Sequence, residues 1–291
     1  MAPTNADRRP SSVSTPKRKR ATIMSGQPSP SIKRADLAPN LLAGRELQSE
    51  IRTGSRLGEF WLAYQPIVDM NGDIWGAEAL MRWAHPMGSQ SPELFVPAME
   101  QCELIHHIGA WALIEACKQA RAWRRTRRDF RLNVNVSPVQ LRDAAFIDKV
   151  MDALRISGLS AGALSLEITE NVLIGHDGHV IERLHHLASL GIGLYMDDFG
   201  TGFSSIGNLR HLPFTGIKID RSFVHNLSHD PRGQSVMRWV VGLGRELGLD
   251  LIAEGVETHE DARIVIARGV AKLQGFLYSP ALSAADFEQR Y

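Results

Sequence analysis

Six short apolar runs constrain this chain more than any other feature. They are Leu132–Val136, Ala163–Ile168, Ile192–Met196, Gly216–Ile219, Leu249–Ala253 and Ala271–Leu273, with helical patterns near residues 145–156, 178–190, 222–247 and 258–267 between them. Bounded apolar runs of this length read as strands buried on both faces, and their alternation with helices reads as a parallel sheet. Upstream, Phe60–Asp69 and Ile74–Trp83 read as two more strands joined by the turn signal Asn71-Gly72. Helices are expected over Ser91–Gln101 and Ile105–Arg124. Eight strands argue for closure into a barrel. The opening hairpin breaks a uniform (β/α)8 scheme, because its two strands must be antiparallel.

The runs share a second property: nearly all end in a polar group that a buried strand would not choose for stability. Glu78 follows Gly76-Ala77, Asn135 lies within Leu132–Val136, Glu167 follows Leu166, and Asp197 and Asp198 follow Met196. Lys218 and Asp220 flank Ile219, Glu254 follows Ala253, and Gln274 follows Leu273. In a barrel such positions gather at the C-terminal mouth, where active sites of that architecture lie. Five carboxylates at one mouth call for a counter-charge. An all-oxygen set, with Asn135 adding an amide carbonyl, favours Mg²⁺ or Mn²⁺ over zinc. His176, His179, His106, His107, His185 and His186 read as structural or solvated. If the run ending at Met196 is a regular strand, Asp197 and Asp198 point to opposite faces and diverge. The following Gly200 and Gly202 read as hinges of a mobile cover.

Composition matters chiefly for what it excludes. The chain has 291 residues, 44% hydrophobic, with a formal net charge of +1, which gives no global nucleic-acid or membrane signal. Residues 1–40 carry eight of the 33 Lys and Arg but only two of the 32 Asp and Glu. Rich in Ser, Pro and Thr, residues 1–44 are expected to form a disordered basic tail ahead of a domain over 45–291. Met24, just after Lys17-Arg18-Lys19-Arg20, is an alternative translation start. Two cysteines, Cys102 and Cys117, argue against a disulfide framework, and no run reaches the length of a membrane span. A cytoplasmic protein is expected.

The ordered motifs carry a resemblance. Gln65-Pro66-Ile67-Val68, Gly76-Ala77-Glu78-Ala79-Leu80-Met81-Arg82-Trp83, Val134-Asn135-Val136-Ser137 and Glu167-Ile168-Thr169-Glu170 are followed by Asp197-Asp198-Phe199-Gly200-Thr201-Gly202. Lys218-Ile219-Asp220, Glu254-Gly255-Val256-Glu257-Thr258 and Gln274-Gly275 complete the series. Together they make residues 45–291 resemble the EAL domain, the cyclic di-GMP phosphodiesterase family. The resemblance implies a modified TIM barrel with an antiparallel first strand. It implies that Glu78, Asn135, Glu167 and Asp197 hold one metal, and that Asp197 bridges to a second one held with Asp198 and Glu254. Lys218 would contact the attacking water or a phosphate oxygen, with Glu257 orienting it, and Gln274 would position water or substrate. Gln65, Leu80, Arg82 and Gly275 would contact substrate. The loop Phe199, Gly200, Thr201, Gly202, Phe203, Ser204 and Ser205 would link the site to a homodimer interface.

The expected activity is hydrolysis of cyclic di-GMP to linear 5′-pGpG with two Mg²⁺ or Mn²⁺ ions, in a homodimer without a nucleic-acid partner. The alternatives are a non-catalytic EAL module that senses cyclic di-GMP or binds a protein, and a two-metal hydrolase of another phosphodiester. Phe203, Glu103 and Thr215 depart from the family pattern. Of these, Thr215 is expected to alter contacts beneath Lys218 or to substrate.

Overall fold

The computed structural model describes residues 34–170, 172, 177–200 and 209–291, with side chains described from residue 44. Most of the expected tail therefore lies outside the described residues, as do Thr201, Gly202, Phe203, Ser204, Ser205 and His176. The chain divides into two compact units, Met1–Leu42 and Ala43–Tyr291. A helix, α1 (Arg34–Leu57), begins ahead of the expected boundary. Within the second unit its Ile51 is fully buried, in a cluster with Phe60, Trp83, Phe95, Met99 and Ile105.

Eight strands close into a barrel in chain order. The hairpin strands β1 (Phe60–Asp69) and β2 (Ile74–Trp83) fall where the alternation and the Asn71-Gly72 signal put them. Asp69 Oδ1 accepts from the Asn71 and Asp73 N–H groups, and Gly72 takes φ +87°, as a tight turn requires. β1 runs antiparallel to both its neighbours, β2 and β8 (Lys272–Leu273). β3 (Arg131–Asn135), β4 (Leu164–Thr169), β5 (Gly193–Phe199), β6 (Gly216–Ile219) and β7 (Asp250–Ala253) are parallel to each other and to β2 and β8.

Outside them lie α2 (Pro92–Gln101), α3 (Ile105–Trp123), α4 (Pro138–Arg142), α5 (Phe146–Ser157), α6 (Gly178–Ser189), α7 (Pro231–Glu246), α8 (His259–Arg268) and α9 (Ala284–Arg290). Leu132, Val134, Leu164 and Leu166 belong to the large core cluster that also holds Leu113, Ala116 and Leu184 of these helices.

One expected helix is shorter than its pattern. Residues 222–247 do not form a single helix: two 3₁₀ turns, Arg221–Phe223 and Leu227–His229, precede α7. Proline cannot continue a helix from within, so Pro231 becomes a first-turn residue, with Asp230 accepting from the Arg232 N–H as the cap.

Candidate active site

The mouth is built around one cation. Lys218 rises from β6 and is 1% exposed. Its Nζ lies 2.5 Å from Glu254 Oε1, 2.8 Å from Glu167 Oε2, 3.1 Å from Glu78 Oε2 and 3.4 Å from Asp197 Oδ1. Four carboxylates, from within β2, β4 and β5 and from just after β7, thus converge on a single ammonium. Burial alone would strip the proton from Lys218, but the four charges outweigh it and hold the group well above the ordinary lysine range.

The carboxylates respond unequally. Burial and the charges of its neighbours raise Glu167 well above the usual range. Glu254 is pushed up to about 8, first by burial and then by Asp197 and Glu78, against the pull of Lys218. Burial also opposes ionisation of Glu78, but Lys218 and the Gln274 amide overcome it and lower the group. Glu78 Oε1 accepts from Asn135 Nδ2 at 2.5 Å, and Oε2 accepts from Gln274 Nε2 at 2.6 Å.

Asp197 and Asp198 do not diverge. Oxygens of Asp197, Asp198 and Glu254 all lie within 4.8 Å of one another, and they are the group suited to a metal ion among the described residues. The expected alternation fails because β5 is irregular here: its register to β6 shifts between Met196 and Phe199, and Asp198 takes φ +54°. A left-handed residue ends the period-two alternation, so the second carboxylate swings back toward the first. Burial, Asp197 and Asp220 raise Asp198 above the ordinary aspartate range. Gly200 follows at φ +96°, its N–H donating to Glu170 Oε2 at 3.2 Å, and a Cβ there would meet the Phe223 ring at 2.7 Å.

The other expected residues are distributed around two cavities. The mouth, about 330 Å³, is lined by Gln65, Glu78, Leu80, Asp197, Asp198 and Lys218, and on its far side by Glu254, Glu257, Gln274 and Gly275. Glu257 does not reach Lys218; its carboxylate lies 3.7 Å from His225 Nδ1. Gln65 Oε1 accepts from Gln274 Nε2 at 3.2 Å. A Cβ on Gly275 would fall on the Val256 backbone, so the close approach of these segments needs glycine. A second cavity of about 560 Å³ holds Arg82 and Asn135 and shares Leu80 and Asp198 with the first.

Thr215 lies away from this chemistry. It precedes β6 at the barrel floor, where its Oγ1 bonds the Leu194 backbone, so it contacts neither Lys218 nor the mouth. Among the histidines, His106 pairs with Asp143 at 3.3 Å and the exposed His179 with Glu182 at 3.6 Å.

Arg221 and Phe276 also line the mouth without having been singled out, although each adjoins a motif. The more informative omission is Asn133. It is fully buried, and its Nδ2 donates to Glu167 Oε1 at 2.7 Å. The signal was a polar residue two positions before Asn135, on the same face of the strand.

An all-oxygen, partly buried cluster of this kind fits Mg²⁺ or Mn²⁺ by donor chemistry. The sequence comparison agrees with the geometry. The EAL domain family model matches residues 46–281. The bifunctional diguanylate cyclase/cyclic di-GMP phosphodiesterase MucR of Pseudomonas aeruginosa is 38% identical over 242 residues, 82% of this chain and 35% of that protein. The cyclic di-GMP phosphodiesterase PA2567 of the same organism is 38% identical over 231 residues, 79% of this chain and 39% of that protein. The chain therefore spans well under half the length of these curated relatives. A solved structure described as the PaMucR phosphodiesterase in complex with c-di-GMP superposes with a TM-score of 0.79 at 38% identity, covering 83% of this chain and 99% of that one. Barrel, mouth and sequence together make this chain a member of the EAL domain family.

Proposed function

We propose that this chain hydrolyses one phosphodiester bond of cyclic di-GMP, giving linear 5′-pGpG, with two Mg²⁺ or Mn²⁺ ions held at the mouth. The observation that carries the reading is the convergence of Glu78, Glu167, Asp197 and Glu254 on Lys218, with Asp198 folded back beside them. The names of MucR, of PA2567 and of the c-di-GMP complex support the substrate.

Glu78, Asn135, Glu167 and Asp197 would hold one ion, and Asp197, Asp198 and Glu254 the other. Bound there, such ions supply Lewis acidity to the phosphodiester and to the water that attacks it. Lys218 contacts that water or a phosphate oxygen. Gln274, tied to Glu78 and Gln65, orients water or substrate, and the Arg82 guanidinium suits a phosphate oxygen. Attack at phosphorus breaks its bond to the 3′ oxygen, which takes up the proton released by the water. Leu80 lines both cavities, a position that suits a side chain set between the two halves of a bound dinucleotide.

We also infer a homodimer, supported by Val236 and Trp239 standing exposed on α7, the helix region that follows the Phe199–Ser205 loop and β6. Light scattering against concentration, with specific activity measured in parallel, tests it: a monomer of constant activity overturns it.

The test of the activity is turnover of cyclic di-GMP by the purified chain with Mg²⁺ or Mn²⁺, the product identified by chromatography. EDTA, Glu78→Ala and Asp197→Ala should each abolish turnover while circular dichroism stays unchanged. Turnover persisting in EDTA or in Glu78→Ala overturns the metal-dependent assignment. Binding of cyclic di-GMP without any hydrolysis would leave a sensing module in its place.

A further inference from the structure

We propose that Asn133 is a positioning residue that presents Glu167 as a one-oxygen ligand, and so biases the mouth toward small octahedral cations over Ca²⁺. The inference rests on the reading above that Glu167 holds a metal ion.

Asn133 lies in β3 with Glu78 and Ser165 as its register partners on β2 and β4, one step below the Asn135–Glu167 pair. It is fully buried, yet its Oδ1 has no protein partner. With Glu167 ionised, as a metal ligand is, the orientation of the amide follows, since reversing it would aim a carbonyl oxygen at the carboxylate. A buried residue that leaves one oxygen unsatisfied is a poor choice for stability alone, because an apolar residue of similar size would fill the space without that loss. What Asn133 supplies is one N–H, and that N–H is spent on Glu167 Oε1.

The two oxygens of Glu167 are therefore unequal. Oε1 is held at 2.7 Å by a neutral amide fixed in a strand. Oε2 is held at 2.8 Å by Lys218, whose ammonium has three other carboxylates within reach. A cation can take Oε2 while Lys218 keeps its remaining partners. Taking Oε1 as well makes the cation share that oxygen with the Asn133 N–H, whose hydrogen bond already draws on its charge and fixes its direction. Mg²⁺, with near-ideal octahedral demands, accepts single oxygens; Ca²⁺ takes more oxygen ligands and readily uses both oxygens of a carboxylate. Holding Oε1 back thus penalises Ca²⁺ more than Mg²⁺ or Mn²⁺.

The experiment is calorimetric titration of Mn²⁺ and of Ca²⁺ into the full chain without substrate, for wild type, Asn133→Leu, Asn133→Ala and Glu167→Gln. The quantity read is the ratio of Ca²⁺ to Mn²⁺ dissociation constants. Asn133→Leu, of the same branched shape but without a donor, should lower that ratio by about 10-fold or more, in the range outer-shell partners of metal ligands command. Should the leucine variant not fold, Asn133→Ala carries the same expectation. An unchanged ratio, or equal weakening of both metals, overturns the inference and leaves Asn133 a packing residue. If Glu167→Gln takes up Mn²⁺ as tightly as wild type, it is the assignment of Glu167 as a ligand that fails. Loss of Mn²⁺ in Glu167→Gln with a wild-type ratio in the Asn133 variants defeats the Asn133 inference alone.

Discussion

Lys218 and Glu254 meet at 2.5 Å across the ends of β6 and β7, and the same ammonium is within 3.4 Å of three more carboxylates. A single positive charge therefore offsets part of the repulsion within a cluster of four carboxylates. Lys218→Met should destabilise the metal-free protein by about 3–5 kcal/mol, the loss usual when one partner of a buried ion pair is removed. Turnover should be lost with it. Added Mn²⁺ should raise the melting temperature of this variant more than that of wild type, because the ion replaces the missing charge. Thermal melting with and without Mn²⁺ checks both statements.

Asp198 separates charge from conformation. Its φ of +54° is one that asparagine tolerates as well as aspartate. Asp198→Asn should keep the fold and melting temperature while weakening Mn²⁺ binding roughly 10-fold or more. Asp198→Ala should lose the same affinity and stability as well, since alanine resists that backbone conformation. Calorimetric titration beside thermal melting of the two variants distinguishes the effects.

Gly200 is pressed against Phe223, so Gly200→Ala should be costly twice, through the ring contact and through φ of +96°. The turn it closes carries both aspartates, and a displacement of about 1 Å in such a site lowers rate roughly 10²-fold. The double variant Gly200→Ala, Phe223→Ala should recover only part of the activity, because the backbone strain remains when the ring is gone. Full recovery would assign the whole effect to the ring.

Glu103 is exposed and sits at φ +59° in the turn between α2 and α3. Glu103→Gly should relieve a left-handed conformation that disfavours a side chain by about 1–2 kcal/mol, less what glycine's greater unfolded-state freedom takes back. A net gain of up to about 1 kcal/mol, with turnover unchanged, is expected in denaturant unfolding.

How much of this was legible depends on which rule governed each segment. The β1–β2 hairpin could be read to its ends, since alternation and the Asn71-Gly72 turn are both local. The gathering of Glu78, Glu167, Lys218 and Glu254 at one mouth followed from barrel topology once the strands were counted. The convergence of Asp197 and Asp198 was not legible, because it depends on a register shift against β6, and alternation assumes regular backbone. The break within 222–247, by contrast, was legible: Asp230-Pro231, in a polar stretch from Ser228 to Ser235, is a helix-start signal that outranks the apolar residues on either side. Ile51 and Leu47 of α1, four residues apart, could have been read as one buried helical face.

The reversed direction of β1 decides how its own side chains reach the mouth. In an all-parallel barrel the first strand enters at the floor and delivers its end to the mouth. Here Phe60 pairs with Trp83, at the C-terminal end of β2, so β1 begins on the mouth side of the barrel, five residues beyond the Gln65–Glu78 pair. The last helix, α9, instead packs through Phe287 on Trp123 and Phe130, just ahead of the floor end of β3. β1 therefore runs from the mouth side toward the floor, and Gln65, half-way along it, reaches the mouth from the direction opposite to the other strands. Its hydrogen bond from Gln274 thus ties the reversed strand to the residue that follows the last one.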